Sequence, residues 1–188
     1  MNTESKKSVV RSIRIPKELD DLIREDAKDA GVTVNALISS ALNRYAEWDR
    51  YAERFGFVSV SQYAFRALIE AIEEEKLMDI AENFAPSASR EVALHWYKQV
   101  NFEAFFRFLL AVFRYGRLGE HHIETSAEED TLTLHHELGP KWSRLLSRSL
   151  QTSFESIAKV SPRLSLEENT FTLSFPPGTL NGRRAAEG

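Results

Sequence analysis

A short basic stretch near the start of the chain, Ser8-Val9-Val10-Arg11-Ser12-Ile13-Arg14-Ile15, runs straight into Pro16. Its period of two reads as a β-strand, and Pro16 stops a strand where a helix can start. A lone strand of this length is not stable in water. The residues after it carry helical spacing, so no partner strand follows nearby. The simplest partner is the same stretch of a second copy, which makes the chain an expected dimer. Val9, Ile13 and Ile15, with Arg11 at the edge, then share the face toward the helices, and Val10, Ser12 and Arg14 point away from it.

Leu19, Leu22, Ile23, Ala27 and Ala30 fall on one stripe of a helix expected over 17–30. Gly31 suits a left-handed helix stop and Thr33 an N-cap. Leu37, Ile38, Ala41, Leu42 and Tyr45 then repeat the helical spacing. This order resembles the ribbon-helix-helix family of transcriptional repressors, of the MetJ/Arc type. The residues that carry the likeness are Arg11-Ser12-Ile13-Arg14-Ile15-Pro16-Lys17-Glu18-Leu19 and Gly31-Val32-Thr33-Val34-Asn35-Ala36-Leu37-Ile38. They cover roughly a quarter of the chain.

The resemblance implies a homodimer formed through the N-terminal strand and the second helix, with double-stranded DNA as ligand and a dimer of dimers left open. Alternate strand residues would meet base edges, here Val10, Ser12 and Arg14, with Arg14 suited to the O6 and N7 of guanine. Val10 departs from the usual polar reader and offers only apolar contact, for instance to a thymine methyl. The start of the second helix, Thr33, Val34 and Asn35, would hold the phosphate backbone. Lys6, Lys7 and Lys17 are the other expected phosphate contacts.

Charge placement agrees with a local rather than a general polyanion contact. The chain as a whole is at −4, yet Lys6, Lys7, Arg11, Arg14 and Lys17 stand against Glu4 alone in the first 17 residues. There are no cysteines, which removes disulfides, thiolate metal sites and a cysteine nucleophile. Met1 to Lys7 lacks an apolar signal-peptide core, and no apolar run approaches a membrane span. The expected location is the cytoplasm.

Trp48, Tyr51, Ala52 and Phe55 extend the second helix to Gly56 and need cover from a dimer mate or the following domain. Further helical patterns carry Phe65 to Ile72, then Leu77 to Phe84 after a break near Glu75, then Val92 to Gln99, with Pro86 to Ser89 read as a loop. The most apolar pattern, Phe102 to Tyr115, must be buried on most sides. Residues 121–125 and 131–136 read as one hairpin, 140–159 as a helix, and 163–167 with 170–175 as a second hairpin. The expected fold class is therefore α+β: an N-terminal ribbon-helix-helix with a swapped dimeric two-stranded ribbon, a helical region, and a small β-β-α-β-β domain. The expected divisions are 1–56 for DNA binding and dimerisation, 57–175 for sensing or oligomerisation, and 176–188 as a disordered tail.

Four of the five histidines form the pairs His121-His122 and His135-His136. If the hairpin turns about Glu128-Glu129, His121 faces His136 and His122 faces His135. With Glu124 or Glu137 nearby, this set suits a divalent transition metal such as Zn²⁺, Ni²⁺ or Cu²⁺; it equally suits a pH-sensitive hairpin. A register slip would separate the pairs. Arg107 and Arg114 lie on one helical face and fit either an acidic effector or local carboxylates. The stretch from His136 to Ser143 joins strand to helix, either as an anion-binding turn or simply as a tight connection. No phosphate loop, no acid dyad and no Ser/His/Asp arrangement in recognisable context is present, so no enzyme is expected. The leading expectation is a sequence-specific DNA-binding transcriptional regulator. The alternative is an antitoxin-like interaction protein that uses the same module for dimerisation.

Overall fold

The computed structural model describes residues 9–180. The chain separates into two units that divide between Ala46 and Glu47.

The first unit holds α1 (Lys17–Asp29) and α2 (Val34–Arg44). Pro16 precedes α1 with extended backbone, and Glu18 and Asp20 in the first turn with Lys28 in the last complement the helix dipole. Gly31 at φ +66 reverses the chain, and Val32 N–H reaches back to the Ala27 carbonyl at 2.9 Å, closing the helix end. Thr33 then caps α2, its hydroxyl accepting from Ala36 N–H at 3.1 Å. Residues 9–15 form no strand.

The second unit builds its own core. A π-helical stretch, Tyr45–Asp49, leads into α3 (Arg50–Phe55). Gly56 at φ +82 ends α3 much as Gly31 ends α1, with Phe57 N–H on the Ala52 carbonyl at 3.0 Å. Ser61 caps α4 (Gln62–Ala71) through Ala64 N–H. Ile72 and Glu73 are extended and break the helical run before α5 (Glu74–Asp79). A second π-helical turn, Ile80–Phe84, joins α5 to α6 (Ala85–Tyr97) without the loop expected at 86–89. Pro86 sits in the first turn of α6, where its missing N–H breaks no bond. Asn101 caps α7 (Phe102–Gly116).

After α7 come β1 (Glu120–Thr125), β2 (Asp130–His135), α8 (Pro140–Ser153) with a π-helical end at Phe154–Ala158, β3 (Arg163–Leu166) and β4 (Thr170–Phe175). The strands form one antiparallel sheet in the order β1-β2-β4-β3. Leu132, Leu134, Phe171, Leu173 and Phe175 project to one side and meet Phe105, Phe106, Leu109 and Phe113 of α7 together with Leu150 and Phe154. The opposite face carries Thr131, Thr133, Thr172 and Ser174. Two further clusters complete the core. One joins Ile69, Leu77 and Ala81 to Leu138, Trp142 and Leu145, and the other joins Trp48 and Ala52 to Val92, Trp96 and Ala111.

The expected fold class therefore needs correction. The described residues are mostly helical, all their strands lie after α7, and none of them forms an N-terminal ribbon. The physical reason is pairing. A strand needs a ladder: β1 to β4 supply one another with partners, whereas 9–15 has none within its own chain. At the end of the described residues Leu180 is fully buried and its N–H donates to the Asp130 carboxylate at 2.6 Å. The expected disorder at 181–188 lies outside the described residues.

Candidate functional site

In the first unit Val10, Ser12 and Arg14 are all exposed on the irregular segment ahead of α1. Lys17 is also exposed, but its ammonium lies 2.5 Å from Asp21 one helical turn on. Thr33, Val34 and Asn35 do occupy the start of α2, with the Thr33 hydroxyl engaged as the cap. Lys6 and Lys7 lie outside the described residues.

The helices of this unit leave their apolar stripes largely open. Among its described residues Ala27 alone is buried, while Leu22 is 54% and Leu42 63% exposed, and Leu19, Val32 and Tyr45 are exposed as well.

In the second unit the four candidate histidines do not converge. Thr125 pairs with Asp130, so the turn centres between Ala127 and Glu128. Ser126 fixes it there by accepting from Glu128 and Glu129 N–H and donating to the Glu129 carbonyl at 2.7 Å. His121 therefore stands opposite Leu134, His122 opposite Thr133, and His135 opposite Glu120. His121 lies on the helix side of the sheet, its ring 5.5 Å from that of Phe113. His122 projects outward and contacts Glu124 at 3.2 Å, and His135 bonds the Thr170 hydroxyl at 2.9 Å. Among the described residues no group of three or more histidine, aspartate or glutamate side chains is placed to hold a metal ion.

His136 is different in kind. It is buried just beyond β2, where its Nδ1 accepts from Leu138 N–H at 3.2 Å and its Nε2 lies 2.8 Å from the hydroxyl of buried Ser143. Ser143 donates in turn to the Glu168 carbonyl at 2.8 Å. With Nδ1 accepting, a neutral ring carries its proton on Nε2 and donates to Ser143. A serine nucleophile needs the opposite polarity, with the ring accepting the hydroxyl proton. The network instead ties α8 to the β3–β4 turn. Burial, with the nearby charge of His135 adding to it, holds the His136 imidazolium below the usual histidine range.

These ties frame an open cleft of ≈ 990 Å³ at the end of the sheet, bounded by the C-terminal turn of α7, the α7–β1 loop, the β2–α8 turn and the β3–β4 turn. Its walls are pinned. Gln62 of α4 donates to the Arg117 carbonyl at 2.8 Å, and Asn169 accepts from His136 N–H through its carbonyl and from Gly139 N–H through its side chain. At Gly119, φ +151, a Cβ would lie 2.4 Å from the His135 carbonyl oxygen, so only glycine lets the α7–β1 loop close against β2. The cleft lining includes Arg114, Arg117, His121, His135, Asn169 and Thr170.

The sequence stretch from His136 to Ser143 and the residue Arg114 pointed toward this region. Gln62, Arg117 and Asn169 did not stand out, because they come from segments that meet only in three dimensions. Arg107 and Arg114 do not form a common site. The Arg107 guanidinium lies over the Tyr97 ring at 5.0 Å, and Arg114 approaches Glu47 at 3.6 Å. No helix among the described residues is long and apolar enough to cross a membrane. Comparison with protein-family models, with characterised proteins and with solved structures finds no match to this chain, so the functional reading rests on the residues and their geometry.

Proposed function

We propose that the chain is a homodimeric, sequence-specific DNA-binding transcriptional regulator, joined through its N-terminal segment and α2, with the second unit taking an effector. The observation that carries this reading is the unfinished state of the first unit. Two helices that bury one alanine between them lack the apolar burial that holds a domain together, and a second copy would cover both stripes at once. The exposure of Val10, Ser12 and Arg14 on a basic segment supports DNA as the ligand of that dimer, in which Arg14 would read a base and Ser12 and Val10 would meet neighbouring base edges. The likeness of residues 11–19 and 31–38 to ribbon-helix-helix regulators supports the same reading. Thr33, Val34 and Asn35, at an α-helix start, suit a phosphate.

Genome-wide recovery of bound fragments would yield the cognate site, and titration of that site at several salt concentrations tests the roles. Arg14→Ala should cost about 1–3 kcal/mol on cognate DNA and much less on random DNA, whereas Lys7→Ala should weaken both alike and reduce the salt slope by about one. Equal losses on cognate and random DNA for Arg14→Ala would rule out base reading.

A further inference from the structure

We propose that the cleft at the end of the β1–β2 hairpin binds a small organic acid: a molecule with one carboxylate or phosphate group joined to a flat apolar body. This names the ligand class of the effector unit in the regulator proposed above, but the binding is intrinsic to residues 47–180 and is measured without DNA.

The volume of ≈ 990 Å³ is at the upper end of what small-molecule sites occupy. Its shape does not depend on a loose loop, because the Gln62, Asn169 and Ser143 hydrogen bonds hold each wall to a different element. Glycine at 119 fixes the approach of the α7–β1 loop to β2.

The lining then selects the chemistry. Arg117 has no ion pair or side-chain hydrogen bond among the described residues, whereas Arg114 is held by the Tyr115 hydroxyl and by Glu47 at 3.6 Å, long for a charge-assisted bond, so Arg117 is the main anion partner and Arg114 the secondary one. Their guanidinium groups, three residues apart at the end of α7, offer planar forks that match a carboxylate or a phosphate. Two carboxylates, Glu120 and Glu137, also line the cleft. That mixture disfavours a polyanion, which they would repel, and favours a molecule with one acidic group. The apolar part of the lining is Leu118 and the edge of buried Phe113, over which the His121 ring lies at a tilt of 36°. A flat ring would lie against Leu118 and the half-buried His121 ring.

Titration of the ¹⁵N-labelled full chain with benzoate, phenyl phosphate and neutral benzamide, followed by two-dimensional NMR, tests the proposal. Saturable shifts confined to residues of the cleft are expected with at least one of the two acids at about millimolar concentration. Benzamide should bind at least tenfold more weakly, and which acid binds better tells carboxylate from phosphate. Arg117→Gln should weaken the acid at least tenfold while the spectrum elsewhere stays unchanged. Arg163→Gln, whose guanidinium pairs with Glu129 by the hairpin turn, should leave binding intact. No saturable binding by either acid, equal binding of benzamide, or undiminished binding by a folded Arg117→Gln protein would each overturn the proposal. Failure of DNA binding with acid binding intact would sink the regulator reading alone.

Discussion

The two units of this chain solve the same problem to very different degrees. From Glu47 onward, helices and sheet bury three clusters that include Phe105, Phe106, Phe154, Leu77 and Trp96. Before Ala46, two well-formed helices bury only Ala27. Local signals are equally good in both: Thr33 caps α2 just as Ser61 caps α4, and Gly31 and Gly56 end their helices alike. Caps and propensity thus make helices, but only packed apolar area makes a stable unit. By that measure the first unit, with Ala27 as its one buried residue among those described, lacks the packed area that the second unit has.

The largest effect is expected inside the second unit. Phe154 is fully buried and meets Phe105 and Phe175 with ring centroids 4.9 Å away in each case. Phe154→Ala should cost about 3–5 kcal/mol in chemical denaturation of the second unit; a cost under about 1 kcal/mol would show this core to be loosely packed. In the first unit, Leu42→Asp should hardly change the stability of residues 47–180, yet it should raise the dimer dissociation constant at least tenfold, because each buried leucine is worth about 1.5–3 kcal/mol. An unchanged association constant would place the interface elsewhere.

A smaller effect is expected from His136. Its folded pKa lies below the unfolded value, so the unfolded chain binds more protons in that window. The stability it contributes is present above the ordinary histidine value of about 6.5 and is lost as pH falls from there through the folded pKa. Denaturation midpoints measured across that range should drop for the parent and drop less for His136→Gln; identical slopes would remove the buried imidazole as the cause. The smallest effect belongs to the half-exposed Arg144–Glu74 pair between α8 and α5, 2.5 Å apart. Arg144→Ala should cost less than about 1 kcal/mol in the same assay.

What could be read from the residues alone follows the same divide between local and long-range information. Helical spacing placed α1 and α7 within a residue of their observed ends, because the apolar stripe of each is set by its own sequence. The cover sought for Trp48 and Tyr51 came from the following domain, with Trp96 of α6 at 5.3 and 5.2 Å. Residues 86–89 were misread because Pro86 suits a helix start as well as a loop. The N-terminal ribbon was misjudged as part of the fold, since period-two alternation describes what a segment can pair as, not whether a partner is there. The histidine register missed by two residues because Ser126 gathers the turn around itself, a hydrogen-bond pattern that symmetric folding of the hairpin ignores. Of the cleft's walls, the stretch from His136 to Ser143 was legible as a strand-to-helix connection, with Trp142 in the core. The other walls were not, for Gln62, Arg117 and Asn169 are brought together only by packing of α4, α7 and the β3–β4 turn.

Sedimentation equilibrium of the full chain at micromolar concentration decides whether the first unit is completed by a second copy. The expected result is a species of twice the 21.5 kDa chain mass that dissociates when Leu42 is replaced by Asp. A 21.5 kDa particle whose α1 and α2 amides resist hydrogen exchange as strongly as those of α7 would contradict it, for the first unit would then be complete in a single copy.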